Sequence, residues 1–195
     1  PDLSTNDPAK LTVNGKGGDG NIQYCTITAF DESPLVPGLL WAGTDDGNVW
    51  VTRDNGRAWV KLNDRIPGHP GYWVSRVAAS NFDPGTAYVS YTGFRNDDFR
   101  PYVFKTTDYG ATWTSLAAGL PEGPVNVLRE DVKNPNLLFA GTDFGVYVST
   151  DGGGAWLKMK NDLPTQPIHD LKVQPRESDL IVATHGRGAY VADIK

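Results

Sequence analysis

Cysteine and histidine are scarce in this chain, and a long apolar run is lacking. Its 195 residues include one cysteine, Cys25, and three histidines that lie far apart. A lone cysteine excludes an internal disulfide and a zinc site built on several cysteines. No apolar stretch approaches the roughly 18 residues of a membrane-spanning helix. We therefore expect no cofactor and no bound metal, and contact with a membrane only through a partner.

An excess of basic residues is also missing. The chain has 18 Lys and Arg against 23 Asp and Glu, a formal net charge of −5. A protein that binds nucleic acid usually presents a basic face, so we expect no nucleic-acid partner. The sequence opens without a methionine or a basic-then-apolar leader, and we interpret it as processed or as a piece of a longer protein.

Turn-forming residues are abundant instead, and one motif repeats. Glycine and proline number 22 and 14, more than the usual combined share of about 12%. The pattern Ser/Thr-x-Asp-x-Gly-x-x-Trp, here called the Asp motif, occurs three times, with its tryptophans 54 and 43 residues apart. Its defining residues are Thr52, Asp54, Gly56, Trp59, Thr106, Asp108, Gly110, Trp113, Ser149, Asp151, Gly153 and Trp156. Periods of 40–50 residues are typical of propeller blades.

Each part of the Asp motif suits a hairpin turn. Glycine tolerates a positive φ, the aspartate accepts backbone N–H bonds, and the tryptophan can pack against the sheet. Because the motif recurs once in each unit, we interpret its residues as structural rather than catalytic.

The segments around the motif read as short strands, four to a unit, which is a blade. We predict an all-β propeller of four Asp-motif blades of four-stranded antiparallel sheet, the last one incomplete. The blades are expected at about 21–62, 73–116, 124–159 and 167–195, after a connector at 1–20. The ring is expected to close through a longer chain, through a partner, or through the strand-like segment Lys10–Asn14.

At these motifs the chain resembles the BNR, or Asp-box, repeat proteins. That family includes sialidases, xyloglucan-degrading hydrolases, sortilin-type receptors and the photosystem II assembly propeller. The stretches Trp41–Gly47, Arg95–Asp98, Pro101–Asp108 and Thr184–Gly188 look most like large bacterial sortilin-like or glycosyl-hydrolase-like repeat proteins. Those are usually exported, so the resemblance implies a periplasmic or secreted location. It does not select a function, because one fold hosts many.

Candidate contact residues cluster in two places. The second unit carries an insertion at Gly93–Tyr102 where the other units have tight turns, and functional residues concentrate on such segments. Its candidates for binding a partner or ligand are Phe94, Arg95, Asn96, Asp97, Asp98, Phe99 and Arg100. His185 and Arg187, in the last unit, are the other candidates.

Catalytic candidates are weak. A glycosidase needs two carboxylates across a cleft, and only Glu130 and Asp131, at the end of a strand, suggest a rim position. We interpret the protein as a non-catalytic scaffold that binds other protein subunits, as an accessory or stabilising part of a larger, membrane-associated complex. The alternative is a carbohydrate-binding or glycoside-hydrolase-like module.

Overall fold

A computed structural model describes Leu3 and residues 26–160, 163 and 165–194. Within these ranges the regular structure is β-strand, apart from 3-10 turns at Asn63–Arg65 and Phe94–Asn96. Three four-stranded sheets and one three-stranded sheet follow one another along the chain, each joined in sequence order. The predicted fold class is confirmed: the protein is an all-β, incomplete propeller. The strand-like segment Lys10–Asn14 and the connector at 1–20 lie outside the described residues, except for Leu3.

All pairings within the sheets are antiparallel. Blade 1 contains β1 (Ile27–Glu32), β2 (Leu40–Thr44), β3 (Val49–Thr52) and β4 (Val60–Lys61). Blade 2 contains β5 (Trp73–Ala79), β6 (Ala87–Gly93), β7 (Asp98–Thr106) and β8 (Thr114–Ser115). Blade 3 contains β9 (Val125–Glu130), β10 (Leu138–Thr142), β11 (Gly145–Ser149) and β12 (Leu157–Lys158). Blade 4 contains β13 (Ile168–Gln174), β14 (Asp179–Thr184) and β15 (Ala189–Asp193).

The hydrophobic core lies between successive blades. Trp41, Val51 and Val77 belong to a buried cluster shared by blades 1 and 2. A second cluster joins blades 2 and 3, and a third joins blades 3 and 4. Strand β10, in the middle of blade 3, is buried along its whole length. The sheets therefore stack face to face, as propeller blades do.

The second and third Asp motifs help to dock one blade on the blade before it. Gly110 lies against Leu62, and a β-carbon built on it would come 2.7 Å from a leucine methyl carbon. Gly153 lies against Leu116 in the same way, at 2.8 Å. In blade 3 the Trp156 indole also donates a hydrogen bond of 2.8 Å to the Leu116 carbonyl. The second and third motifs thus place a turn of one blade against the outer edge of the blade before it.

The insertion in the second unit differs from the loop that the sequence suggested. Residues 98–102 begin strand β7, and Gly93 pairs with Asp98. The extra residues therefore lengthen the β6–β7 hairpin, and only a short turn remains at its tip. This places the Phe94–Asn96 turn and the start of β7 beyond the neighbouring hairpins.

The sheet order fixes which features share an end of the molecule. The β2–β3, β6–β7, β10–β11 and β14–β15 turns lie at the end where each blade's first strand begins. We call this the hairpin end. The Asp motifs connect the third and fourth strands, so they lie at the opposite end. The insertion and the His185–Gly188 turn consequently share one end of the protein.

Candidate functional site

All four blades begin with the same irregularity. A register shift in the pairing of the first and second strands leaves one extra residue in β1, β5, β9 and β13. A β-bulge of this kind re-aims a side chain and is common beside functional sites. The extra residues are all polar: Thr28, Ser75, Asn126 and His169. The first strands of neighbouring blades contact one another, so these bulges lie close to the axis at the hairpin end.

Three of the four bulges line an open cleft of about 490 Å³. The cleft spans three blades, and its wall combines aromatic, cationic and polar side chains. Blade 2 provides Trp73, Ser75, Arg76, Thr92, Phe94 and Arg95, blade 3 provides Pro124, Asn126 and Asp143, and blade 4 provides Pro167, His169 and His185. We call this space the axial cleft.

Two histidines form the blade 4 side of the axial cleft. The rings of His169 and His185 stack with their centroids 4.9 Å apart and their planes tilted by 30°. The His185 amide donates to the Pro167 carbonyl at 3.0 Å, which holds the β14–β15 turn against the start of β13. The structure thus brings His185 to a shared site, whereas Arg187 is exposed in the same turn and does not line the cleft.

Arg95 and Phe94 form the blade 2 side. The Arg95 guanidinium lies 4.3 Å from the centre of the Trp73 ring and 5.8 Å from that of Phe94. Such cation–π contacts hold the guanidinium near the aromatic rings, and its N–H groups remain able to donate hydrogen bonds. Both residues were candidates from the sequence, and the extended hairpin carries them to the cleft.

Asn126 and Ser75 are fixed by hydrogen bonds. The Asn126 amide donates to Asp143 at 2.9 Å. The Ser75 hydroxyl lies 2.6 Å from the Val125 carbonyl and 2.8 Å from the Ser90 hydroxyl. Within the described part of the chain, Asp143 is the one carboxylate that lines the axial cleft, and it is already paired.

Arg76, which lines the axial cleft, takes part in a shared ion pair whose other members are outside the lining. Arg76 and Arg129 reach the same oxygen of Asp170, at 2.7 and 3.4 Å. Burial, followed by the nearby Arg129 charge, lowers the pKa of Arg76, although Asp170 and Asp31 oppose this. Among the described residues, Arg76 Nε and Thr92 Oγ1 are buried and have no hydrogen-bond partner.

The rest of the insertion lines a separate recess of about 480 Å³. Its wall contains Tyr72, Asn96, Asp97, Asp98, Phe99, Arg100 and Glu122. Asp98 accepts hydrogen bonds from Tyr102 at 2.7 Å and from Tyr72 at 3.2 Å, and it pairs with Arg100. The hydrogen bond from the Arg100 side chain is the largest cause of the lowered pKa of Asp98. Burial and the bond to Asp98 raise the pKa of Tyr102 to about 12. The sequence candidates in the insertion are therefore divided between two spaces.

The weak catalytic candidates, Glu130 and Asp131, both accept several hydrogen bonds from the protein. Glu130 is buried and accepts hydrogen bonds from the Ser80 hydroxyl, the Asn81 amide and the Tyr88 hydroxyl, at 2.7–2.9 Å. These bonds tie β9 of blade 3 to blade 2. Asp131 accepts the amides of Lys133 and Asn134 at 2.9 and 2.8 Å, which closes the following turn.

The three Asp motifs share one pattern of hydrogen bonds. In the second motif Thr106 donates to Asp108 at 2.8 Å, and the Gly110 amide donates to the Thr106 hydroxyl at 2.9 Å. The Asp108 carboxylate also accepts the Thr112 amide at 2.8 Å. The matching three bonds occur in the first and third motifs. Hydrogen bonds from backbone and hydroxyl groups lower the pKa of Asp54, Asp108 and Asp151.

Two further absences bear on the chemistry of the described residues. No three histidine, cysteine or acidic side chains among them converge as a metal site requires. In the same residues no helix is long and apolar enough to cross a membrane. What the axial cleft offers is a set of hydrogen-bond donors, the Arg95 cation beside Trp73, and aromatic surface.

No protein-family model matches the sequence, and no curated protein matches it. Solved structures match it in fold. A GH74 enzyme from Niastella koreensis has a TM-score of 0.68 at 20% identity, over 86% of this chain and 28% of that one. The GH74 xyloglucanase from Xanthomonas campestris has a TM-score of 0.66 at 17% identity, over 86% and 29% of the two chains.

The protein YCF48, solved with a D1 peptide bound, has a TM-score of 0.61 at 18% identity, over 87% of this chain and 52% of that one. The chain thus spans between 28% and 52% of the length of these three structures. At such identities the likeness shows the propeller fold alone.

Proposed function

We propose that this protein is a non-catalytic propeller scaffold that binds a segment of a partner protein in the axial cleft. We further propose that it serves as an accessory or stabilising subunit of a larger, membrane-associated complex. The observation that carries the first proposal is the wall of the cleft. Three blades supply aromatic surface, arginines and fixed polar groups to one open space.

The composition of that wall favours binding over hydrolysis. A glycosidase places two carboxyl groups about 5–10 Å apart across the scissile bond. Among the described residues the axial cleft has only Asp143, which is bonded to Asn126. Glu130 and Asp131 come from the other end of β9, and both accept several hydrogen bonds there. We propose that these two carboxylates are structural.

The residue types on the rim are those that dominate protein interfaces. Tryptophan and arginine are enriched at binding hot spots, and here Trp73 and Arg95 stack beside the exposed Phe94. An open cleft of this volume suits an extended segment with alternating side chains better than a flat protein face. The neighbour YCF48, whose structure contains a D1 peptide, supports a propeller as a peptide-binding scaffold.

Two properties implied by the family resemblance belong to the same proposal. The spacing of the Asp motifs and their common hydrogen bonds support membership of the Asp-box repeat propellers. The resemblance to exported bacterial members supports a periplasmic or secreted location. Fractionation of the source cells with an antibody against this chain tests the location.

Selection from a library of displayed random peptides tests the binding function. Peptides selected on the immobilised protein are synthesised, and their affinities are measured by calorimetry. The Phe94→Ala variant should weaken binding by about 1–3 kcal/mol, since Phe94 lies on the rim of the cleft.

Phe99→Ala is the matched control. Phe94 and Phe99 are 51% and 52% exposed, but Phe99 lines the recess on the other side of the hairpin. We expect Phe99→Ala and the neighbouring Arg100→Ala to leave affinity unchanged. Loss of binding in Phe99→Ala alone would move the binding site to the recess. Failure to select any peptide, together with binding of a xyloglucan oligosaccharide, would establish the carbohydrate alternative.

A further inference from the structure

The axial cleft differs in charge from the protein as a whole. The chain has a formal net charge of −5. The described residues that line the cleft include two arginines, Arg76 and Arg95, against the single carboxylate of Asp143. The lining of the cleft therefore carries a net positive charge, although the chain as a whole is acidic. A positively charged cleft attracts ligands of negative charge.

The Arg95 guanidinium is positioned to bind an anion. Its guanidinium carbon lies over the Trp73 ring, 4.3 Å from the centroid, and in the described part of the chain no protein group accepts a hydrogen bond from it. A planar guanidinium with free N–H edges is suited to a carboxylate, which it can bind with two parallel hydrogen bonds. The contact with Trp73 holds the guanidinium in place before a ligand arrives, which reduces the entropy lost on binding.

The opposite wall adds further donors. Among the described residues no protein group bonds the ring nitrogens of His169 and His185, and the stacking of the rings holds both near the cleft. Between the two walls, Arg76 makes one hydrogen bond, to Asp170. Its Nε and the Thr92 hydroxyl are among the buried side-chain atoms of the described residues that have no hydrogen-bond partner, and both residues line the cleft. Buried polar atoms without partners are rare in folded proteins and need a reason.

The charges that face Arg76 do not fully compensate it. Asp170 is shared with Arg129, and Asp31 is the other acid that acts on Arg76. The pKa of Arg76 is nevertheless lowered, by burial first and by Arg129 second. An added negative charge in the cleft would stabilise this cation.

We propose that the axial cleft selects an acidic polypeptide segment and binds one of its carboxylate side chains through Arg95, with Arg76 as a supporting charge and the histidine pair as supporting hydrogen-bond donors. This inference rests on the proposed peptide-binding function and names the class of its ligand. The specificity follows from the charge of the cleft wall, while the aromatic rim supplies contact area.

The test compares pairs of peptides. Each selected peptide is synthesised in its own form and with every Glu or Asp replaced by Gln or Asn. Calorimetry then measures both forms against the wild type, Arg95→Gln and Arg53→Gln. Arg53 is the matched control, because its guanidinium also stacks on an aromatic ring, at 4.1 Å from the centre of Tyr109. It lies in the first Asp motif, at the opposite end of the molecule.

We expect the acidic form to bind the wild type at least about tenfold more tightly than the amide form. Arg95→Gln should remove most of this difference and leave the affinity of the amide form within about twofold, and Arg53→Gln should change neither. The difference should also shrink when sodium chloride is raised, because salt screens charges at an open site.

Each other outcome has a separate meaning. Equal binding of the two forms overturns the acidic specificity and leaves the peptide-binding function standing. A preference for the acidic form that Arg95→Gln preserves assigns the carboxylate to another group and overturns the proposal that Arg95 binds it. If no peptide is selected and an oligogalacturonide binds instead, the ligand is an acidic sugar, and both proposals fail.

Discussion

Asp108 illustrates how single residues stabilise the turns. The Thr112 hydroxyl and amide donate to its carboxylate and lower its pKa from 3.8 to about 2. A carboxyl group whose pKa is lower in the folded state stabilises that state above its unfolded pKa of about 3.9, and loses this effect as the pH falls. Wild-type stability should therefore fall between about pH 4 and pH 2.

The Asp108→Asn variant separates this contribution from the other carboxyl groups. The variant should be less stable than the wild type at neutral pH. Because its amide does not titrate, it should lose less stability than the wild type over the same pH range. Urea denaturation of both proteins at several pH values measures the difference. Thr112→Ala, which removes the strongest of the bonds to Asp108, should show part of the same change. Parallel pH profiles for wild type and Asp108→Asn would contradict the assigned cause.

At the scale of the strand and turn, the Asp motif has two roles that can be measured separately. Gly56 and Gly110 occupy the same motif position with nearly equal φ, +81° and +80°. A β-carbon on Gly110 would meet the Leu62 side chain at 2.7 Å, whereas one on Gly56 would meet nothing closer than Trp59 at 3.6 Å. Both glycines adopt the positive φ that the turn requires, but only Gly110 also packs against another blade.

Alanine at each position isolates the docking. Both variants carry the backbone penalty of a positive φ, about 1–2 kcal/mol. Gly110→Ala should cost about 1–3 kcal/mol more, because it overpacks the buried contact with Leu62. Urea denaturation of the two variants and the wild type gives the difference. Equal losses would show that the Gly110–Leu62 contact relaxes freely.

The same elements show what could be read from the sequence. The repeated motif and the 43- and 54-residue spacing of its tryptophans indicate strands, turns and blade order, because these follow from local chemistry. The bulges at Ser75, Asn126 and His169 were missed, since one extra residue in a strand leaves the alternating pattern almost unchanged. An alignment of the units shows a polar residue near the start of each first strand, which was the available signal. The pairing of His185 with His169 follows only from the tertiary structure.

The whole molecule depends on its blades being assembled. The axial cleft takes residues from Trp73 to His185, which are far apart in sequence and meet only when blades 2, 3 and 4 stack. The buried clusters between successive blades hold this arrangement. The ion pairs of Asp170 with Arg76 and Arg129 add a link across the axis between blades 2, 3 and 4. A change that loosens blade 4 is therefore expected to affect the cleft even when it lies far from the cleft wall.

Blade 4 should be the least protected part of the ring. In the described residues its last strand, β15, pairs only with β14, and its residues are exposed or half-buried. Strand β10, by contrast, pairs on both sides and is buried throughout. Local opening is easiest where backbone bonds are exposed and apolar contacts are few. Hydrogen exchange followed by mass spectrometry should thus show β15 exchanging well before β10. If β15 were as slow as β10, its outer edge would be paired with a further strand, and the segment Lys10–Asn14 would be the first to examine by deletion.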